Sequence, residues 1–259
     1  MASSQEIILV TGVTRGIGAQ VLAQLLARSN TKVIAAVRDL DAAAAKKLIE
    51  QSQTTHKENL VVVKIDSESD TDAADAAQAL QQQHGIDHVD VVIANAGLAT
   101  DWLPVKQVTA EHIMRSSRVN FAAPILLFQA FEPLLVKSAN PRILFISTGA
   151  ASFGLAHIIQ LYNTTYGSSK AALNYTVVRI AKEHPEITAV SLHPGTVVSD
   201  MSTAAHDSIG IKVTDRLAKG EAITAEESAR GIIKIADEAK RDTHSGKFLD
   251  AVSGSELPW

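Results

Sequence analysis

The stretch Ile7-Ile8-Leu9-Val10-Thr11-Gly12-Val13-Thr14-Arg15-Gly16-Ile17-Gly18 decides the fold. Its apolar opening is too short for a buried helix and runs directly into a glycine-spaced turn. Behind the turn, Val21, Leu22, Leu25 and Leu26 recur at the three- and four-residue spacing of an amphipathic helix. The pattern predicts a buried strand, a tight turn and a helix. Glycine lets the backbone approach a ligand closely, and the unpaired N–H groups of a helix start favour an anion. A glycine turn alone could equally be a plain structural turn; the strand before it and the helix after it favour a dinucleotide pyrophosphate site. Gly12, Thr14, Arg15, Gly16, Ile17 and Gly18 are therefore the first candidate binding residues.

Outward from this unit, apolar, β-branched runs predict strands at residues 32–37, 60–65, 89–94, 142–146, 188–192 and 247–249. Helical patterns fall at 42–49, with Asp41 as its cap, and at 71–83, 166–183 and 224–239. A long helical span at 110–136 contains Pro124 and Pro133 and is expected to kink or stop near one of them. The alternation predicts a Rossmann-type, doubly wound parallel α/β sheet of about seven strands in a single domain, residues 1–259. Ligands of such sheets bind beyond the carboxyl ends of the strands. Gly12, Arg38, Asp66, Asn95 and the pair Ser147-Thr148 all stand there. Residues 194–223 show no regular pattern and are expected to be the mobile, substrate-side element.

Bulk properties narrow the function. The 259 residues are 46% hydrophobic and 20% charged, an ordinary globular composition. A net charge of −4 argues against nucleic acid and anionic membrane surfaces. With no cysteine, disulfides, thiolate catalysis and cysteine-held metals are excluded. No apolar run is long enough to span a membrane, and the opening residues do not read as a signal peptide, so a cytoplasmic protein is expected. No metal site is expected: Gly85 between His84 and His88 spoils their helical spacing as ligands.

The sequence Tyr166-Gly167-Ser168-Ser169-Lys170 completes a larger pattern. Together with the glycine turn, Asn95-Ala96-Gly97, Asn120, Ser147-Thr148 and Pro194-Gly195, it resembles the single-domain short-chain dehydrogenases/reductases along essentially the whole chain. Val13-Thr14-Arg15, the run Val91-Val92-Ile93-Ala94-Asn95-Ala96-Gly97 and Pro258-Trp259 are similar to the carbonyl-reductase-like branch, which includes fungal aryl-ketone reductases of polyketide pathways. The resemblance implies Asn120, Tyr166 and Lys170 as catalytic residues, with Asn120 bending its helix and holding a proton-relay water. It places the cofactor against Asn95, Ala96, Gly97, Pro194, Gly195, Thr196, Val197 and Ser199, and its adenine against Asp66, which could instead be a solvated or helix-capping acid. It also implies a homo-oligomer.

The chemistry has its own logic. A tyrosine four residues before a lysine shares its helix face. A free phenol titrates near 10, and a nearby ammonium is expected to lower that value, fitting Tyr166 to give a proton to a carbonyl oxygen. Lys170 can also hold the cofactor ribose. The family pattern of paired serines is altered here to Ser147-Thr148, which puts the substrate-orienting hydroxyl on Thr148; strand alternation sends Ser147 to the other face. A register shift by one would exchange the two. At the end of the second strand Val37 replaces a ribose-binding acid, and Arg38 with Arg15 suits a 2′-phosphate, so NADP(H) is the expected cofactor. Asp39 is the alternative ribose acid, which would make the protein an NAD-dependent alcohol dehydrogenase. The apolar run 152–165 reads as one wall of a hydrophobic pocket or as a subunit contact, and His193 as a structural residue near the nicotinamide end. The expected activity is NADPH-dependent reduction of a hydrophobic or aromatic ketone or aldehyde. The rivals are an NADP(H)-sensing protein without turnover and a sugar-nucleotide epimerase or dehydratase.

Overall fold

The computed structural model describes residues 5–99 and 101–259. The opening strand β1 (Glu6–Thr11) enters the sheet beside β2 (Thr31–Val37), with α1 (Gly16–Leu26) crossing between them. The chain continues through α2 (Ala43–Gln53), β3 (Leu60–Lys64), α3 (Asp72–His84) and β4 (Val91–Ala94). Next come α4 (Ala110–Ser117), α5 (Ala123–Leu135), β5 (Arg142–Ile146), α6 (Thr164–Glu183) and β6 (Thr188–His193). The remaining elements are α7 (Asp200–Asp207), α8 (Val213–Ala218), α9 (Ala225–Glu238), α10 (Arg241–His244) and β7 (Phe248–Asp250). The sheet is 7-stranded, all its pairings are parallel, and its order is β3-β2-β1-β4-β5-β6-β7. The order reverses between β1 and β4, which opens a crevice at their carboxyl ends.

Strand alternation builds two cores. Ile7 and Leu9 of β1, Val92 of β4, and Ile143 and Phe145 of β5 pack with Leu80, Phe131 and Leu173 from α3, α5 and α6. Ile8, Val10, Ile93, Leu144 and Ile146 face the other way, onto Val21, Leu25 and Ile232 from α1 and α9. This layering predicts that Ser147 follows Ile143 and Phe145 toward α6. Its hydroxyl does donate to Asn174 Oδ1 at 2.6 Å.

Local corrections follow from hydrogen bonding. Asp41 does not cap α2: the cap residue is Ala42, and the Asp41 carboxylate lies 3.4 Å from Lys46 Nζ. The long helical span breaks just before Pro124, through a π-helical turn at Arg118–Ala122, while Pro133 lies inside α5 without ending it. Residues 194–223 are not irregular throughout. They contain α7 and α8, the former started by a capping box in which Ser199 accepts from the Ser202 N–H. A serine in place of the usual glutamate at that box, and the shortness of both helices, hid them from pattern reading.

Candidate active site

The glycine turn is braced from β4. Thr11 Oγ1 accepts from the N–H groups of Asn95 and Ala96 at 3.0 and 2.9 Å. Asn95 Nδ2 donates to the carbonyls of Thr11 and Gly12 at 2.9 and 3.3 Å. Gly12 has φ +70, and a Cβ there would meet Ala96 Cα at 3.0 Å. At Gly18 a Cβ would stand 2.2 Å from Gly12 O. Space and conformation therefore both exclude side chains, leaving the helix start open to an anion. Gly18→Ala is expected to cost about 1–3 kcal/mol of stability by overpacking and to abolish dinucleotide binding. Thermal unfolding with a cofactor fluorescence titration checks both.

A cleft of about 1680 Å³ runs from this turn across the sheet end. That exceeds the roughly 300–1,000 Å³ of ordinary ligand sites, enough for a dinucleotide and a second molecule. It brings together Gly12, Thr14, Arg15, Gly16, Ile17, Gly18, Arg38, Asp66, Asn95, Ala96 and Gly97. Ser147, Thr148, Tyr166, Lys170, His193, Pro194, Gly195, Thr196, Val197 and Ser199 line it as well. Arg38 is exposed, with no ion pair among the described residues, whereas Arg15 lies 3.5 Å from Asp200. Asp39 spends one carboxylate oxygen on Asp41.

Thr148 ends the β5 extension in extended backbone (φ −161, ψ 149), and its Oγ1 accepts from Ala150 N–H at 3.2 Å. The Tyr166 phenol lines the same cleft as this hydroxyl. Burial pushes that phenol up to about 12, against the opposing influence of the Thr148 hydroxyl. The expected lowering by Lys170 is absent. Lys170 Nζ donates to Ile146 O at 2.7 Å instead, and its own burial pulls it down to about 8. Desolvation thus outweighs the Tyr–Lys proximity that the spacing suggested. At neutral pH the phenol is an intact acid.

Asn120 does not line the cleft. It is fully buried at the π-helical turn; Oδ1 accepts from Leu98 N–H at 2.8 Å and Nδ2 donates to Leu98 O at 2.7 Å. The bend is present, and the side chain holds the Leu98 backbone. Pattern reading missed Ser116 and Ser169, whose hydroxyls join this network with Asn120 Nδ2 at 3.2 and 3.1 Å. Trp102 was also missed: its ring meets Tyr166 edge-on at 6.0 Å. Only the position of Ser169, one turn beyond Tyr166, offered a signal. The run 152–165 divides: Leu155, Ile159 and Leu161 line the cleft, while Phe153 is 83% exposed.

Residues 6–210 match the short chain dehydrogenase family. The chain belongs to that family. A norsolorinic acid ketoreductase of Aspergillus parasiticus is 33% identical over 258 residues, covering 98% of this chain and 92% of that protein. A short-chain dehydrogenase of Neurospora crassa is 34% identical, covering 99% of both. Among solved structures, an NADPH-bound carbonyl reductase from chicken fatty liver superposes with a TM-score of 0.84 at 29% identity, covering 99% of this chain and 100% of that one. As an oxidoreductase of this family, the chain has ketoreductases and carbonyl reductases among its relatives. Among the described residues no helix is long and apolar enough to cross a membrane.

Proposed function

We propose that the protein reduces a ketone or aldehyde carbonyl to an alcohol with NADPH, on a hydrophobic, aromatic substrate. The observation that carries this is the Tyr166 phenol, half-buried and protonated, which shares a dinucleotide-sized cleft with the Thr148 hydroxyl and the glycine turn. The residues fit the cofactor: a Cβ at Gly12 or Gly18 would fill the cradle, and Arg38, exposed on the same cleft, offers a cation to a 2′-phosphate. When bound, the nicotinamide supplies the hydride. Thr148 orients the carbonyl oxygen, and Tyr166 passes its proton to that oxygen as negative charge develops there. Lys170, anchored on Ile146 O, would hold the ribose. Pro194, Gly195, Val197 and Ser199 would hold the nicotinamide end, and Asp66 the adenine. Trp102, Leu155, Ile159 and Leu161 offer the apolar wall that suits an aromatic ketone, in keeping with the norsolorinic acid ketoreductase relative.

NADPH oxidation against a panel of aryl ketones, aliphatic ketones, aldehydes and quinones tests the reading, which expects aryl ketones to lead. Cofactor choice has its own test. Arg38→Ala is expected to lower the NADPH/NADH ratio of kcat/KM roughly ten- to a hundredfold, since a charge-assisted bond contributes about 1.5–3 kcal/mol. If Asp39→Ala improves NADPH use and impairs NADH use instead, Asp39 is the ribose acid and the cofactor is NAD.

A further inference from the structure

The mechanism above gives no part to His193, although this side chain closes the site from β6. β6 runs beside β5, and the Ser147 N–H donates to Leu192 O at 2.7 Å, so the end of β6 lies against the start of the Thr148 turn. The Gly149 N–H donates to His193 Nδ1 at 3.1 Å. The imidazole covers Gly149: a Cβ there would meet Nε2 at 3.6 Å and Cδ2 and Cε1 at 3.8 Å. A backbone N–H can only donate, so Nδ1 carries its lone pair and the ring proton sits on Nε2. The tautomer is fixed by the partner.

We propose that His193 is a positioning residue: its neutral ring holds the turn that aims the Thr148 hydroxyl, and its protonation releases that turn. This rests on the reading in which Thr148 orients the substrate oxygen. The turn is short and tightly coupled. Ala150 N–H donates to Thr148 Oγ1 at 3.2 Å, and Ala151 N–H to Thr148 O at 3.0 Å. Gly149 lies between these bonds, and His193 is the partner of its N–H. A protonated Nδ1 would set donor against donor and the bond would be lost.

The surroundings bias the ring toward neutrality. Burial holds His193 below the ordinary histidine value, and the Asp250 carboxylate on β7 opposes that shift. From α6, Tyr166 and Lys170 line the same cleft. The turn itself, residues 148–151, carries no ionisable side chain. The ring is therefore neutral at physiological pH and charges only on the acid side, below about 6.5. Loss of turnover on acidification follows with that sign: kcat falls as pH drops through the His193 transition.

Two kinds of measurement test this. In ¹⁵N NMR of the whole protein, His193 should show an unprotonated Nδ1 at pH 7.5, and the Gly149 amide should titrate with the same midpoint as the ring. This arm needs no turnover, so it separates failure of the inference from failure of the proposed reaction. In kinetics, His193→Leu should lower kcat about ten- to a hundredfold while the NADPH dissociation constant changes less than about twofold. His193→Asn offers Oδ1 near the position of Nδ1 without titrating there; it should restore most of that loss and remove the acid-side fall in kcat. A Gly149 amide that ignores the ring titration overturns the inference. So does a leucine variant with unchanged kcat, or an asparagine variant that keeps the acid limb.

Discussion

Tyr166→Phe is expected to abolish turnover, by about a hundredfold at the least, while leaving the protein folded. General acids contribute roughly 10²–10⁴ to such reactions, and phenylalanine keeps the ring while removing the proton that is passed to the substrate oxygen. The half-buried phenol is pushed up to about 12 by desolvation, so at neutral pH it is fully protonated and ready to donate. The reverse direction, alcohol oxidation, needs the phenolate and starts at a disadvantage. Affinity for NADPH should change by less than about threefold, under roughly 0.7 kcal/mol, because the phenol acts on the substrate oxygen. Steady-state assays with a fluorescence titration of NADPH measure the two quantities. Turnover above a few per cent of wild type would remove Tyr166 from the acid role.

The second large effect belongs to the hydroxyl beside it. Thr148→Val preserves side-chain shape but deletes a donor where charge develops, a loss that typically costs about 2.7–4 kcal/mol, a hundredfold or more in kcat. Thr148→Ser should keep activity and admit bulkier ketones once the methyl group is gone. Ser147→Ala should have little effect on kcat, because that hydroxyl is committed to Asn174 at 2.6 Å on the α6 side of the sheet. It should instead lower stability modestly, by leaving the buried Asn174 Oδ1 without this donor. The three variants read together: a dead Ser147→Ala beside an active Thr148→Val would exchange the two roles.

The layout of the sheet was legible because strand and helix periods differ and every strand end carries its own punctuation. β1 through α1 followed directly from the first stretch, and alternation along β5 turned Ser147 to its own face of the strand, which the structure shows to be the α6 side. Harder to read were features set by pairs distant in sequence. Nothing near Asn120 announces Leu98, yet their reciprocal bonds at 2.7 and 2.8 Å decide where that side chain points. Arg15 was counted as a phosphate ligand without Asp200, which stands 3.5 Å away at the start of α7. Both side chains of that pair are solvent-exposed, so the contact is weak and a phosphate can displace it. The Tyr166–Lys170 spacing was read as an electrostatic pair, but local spacing carries no information about burial. Desolvation, a property of the whole fold, turned both values in the direction of the neutral forms.

The central claim is that this cleft moves a hydride to a carbonyl carbon while Tyr166 supplies the proton. The most direct measurement is single-turnover reduction of an aryl ketone with NADPH deuterated at the transferable position, followed by mass spectrometry of the alcohol. The account predicts one deuterium on the carbinol carbon of each product molecule, and no labelled alcohol from Tyr166→Phe under the same conditions. A protein that binds NADPH tightly yet delivers no deuterium to any ketone or aldehyde would contradict it and would mark the chain as a sensor of the dinucleotide.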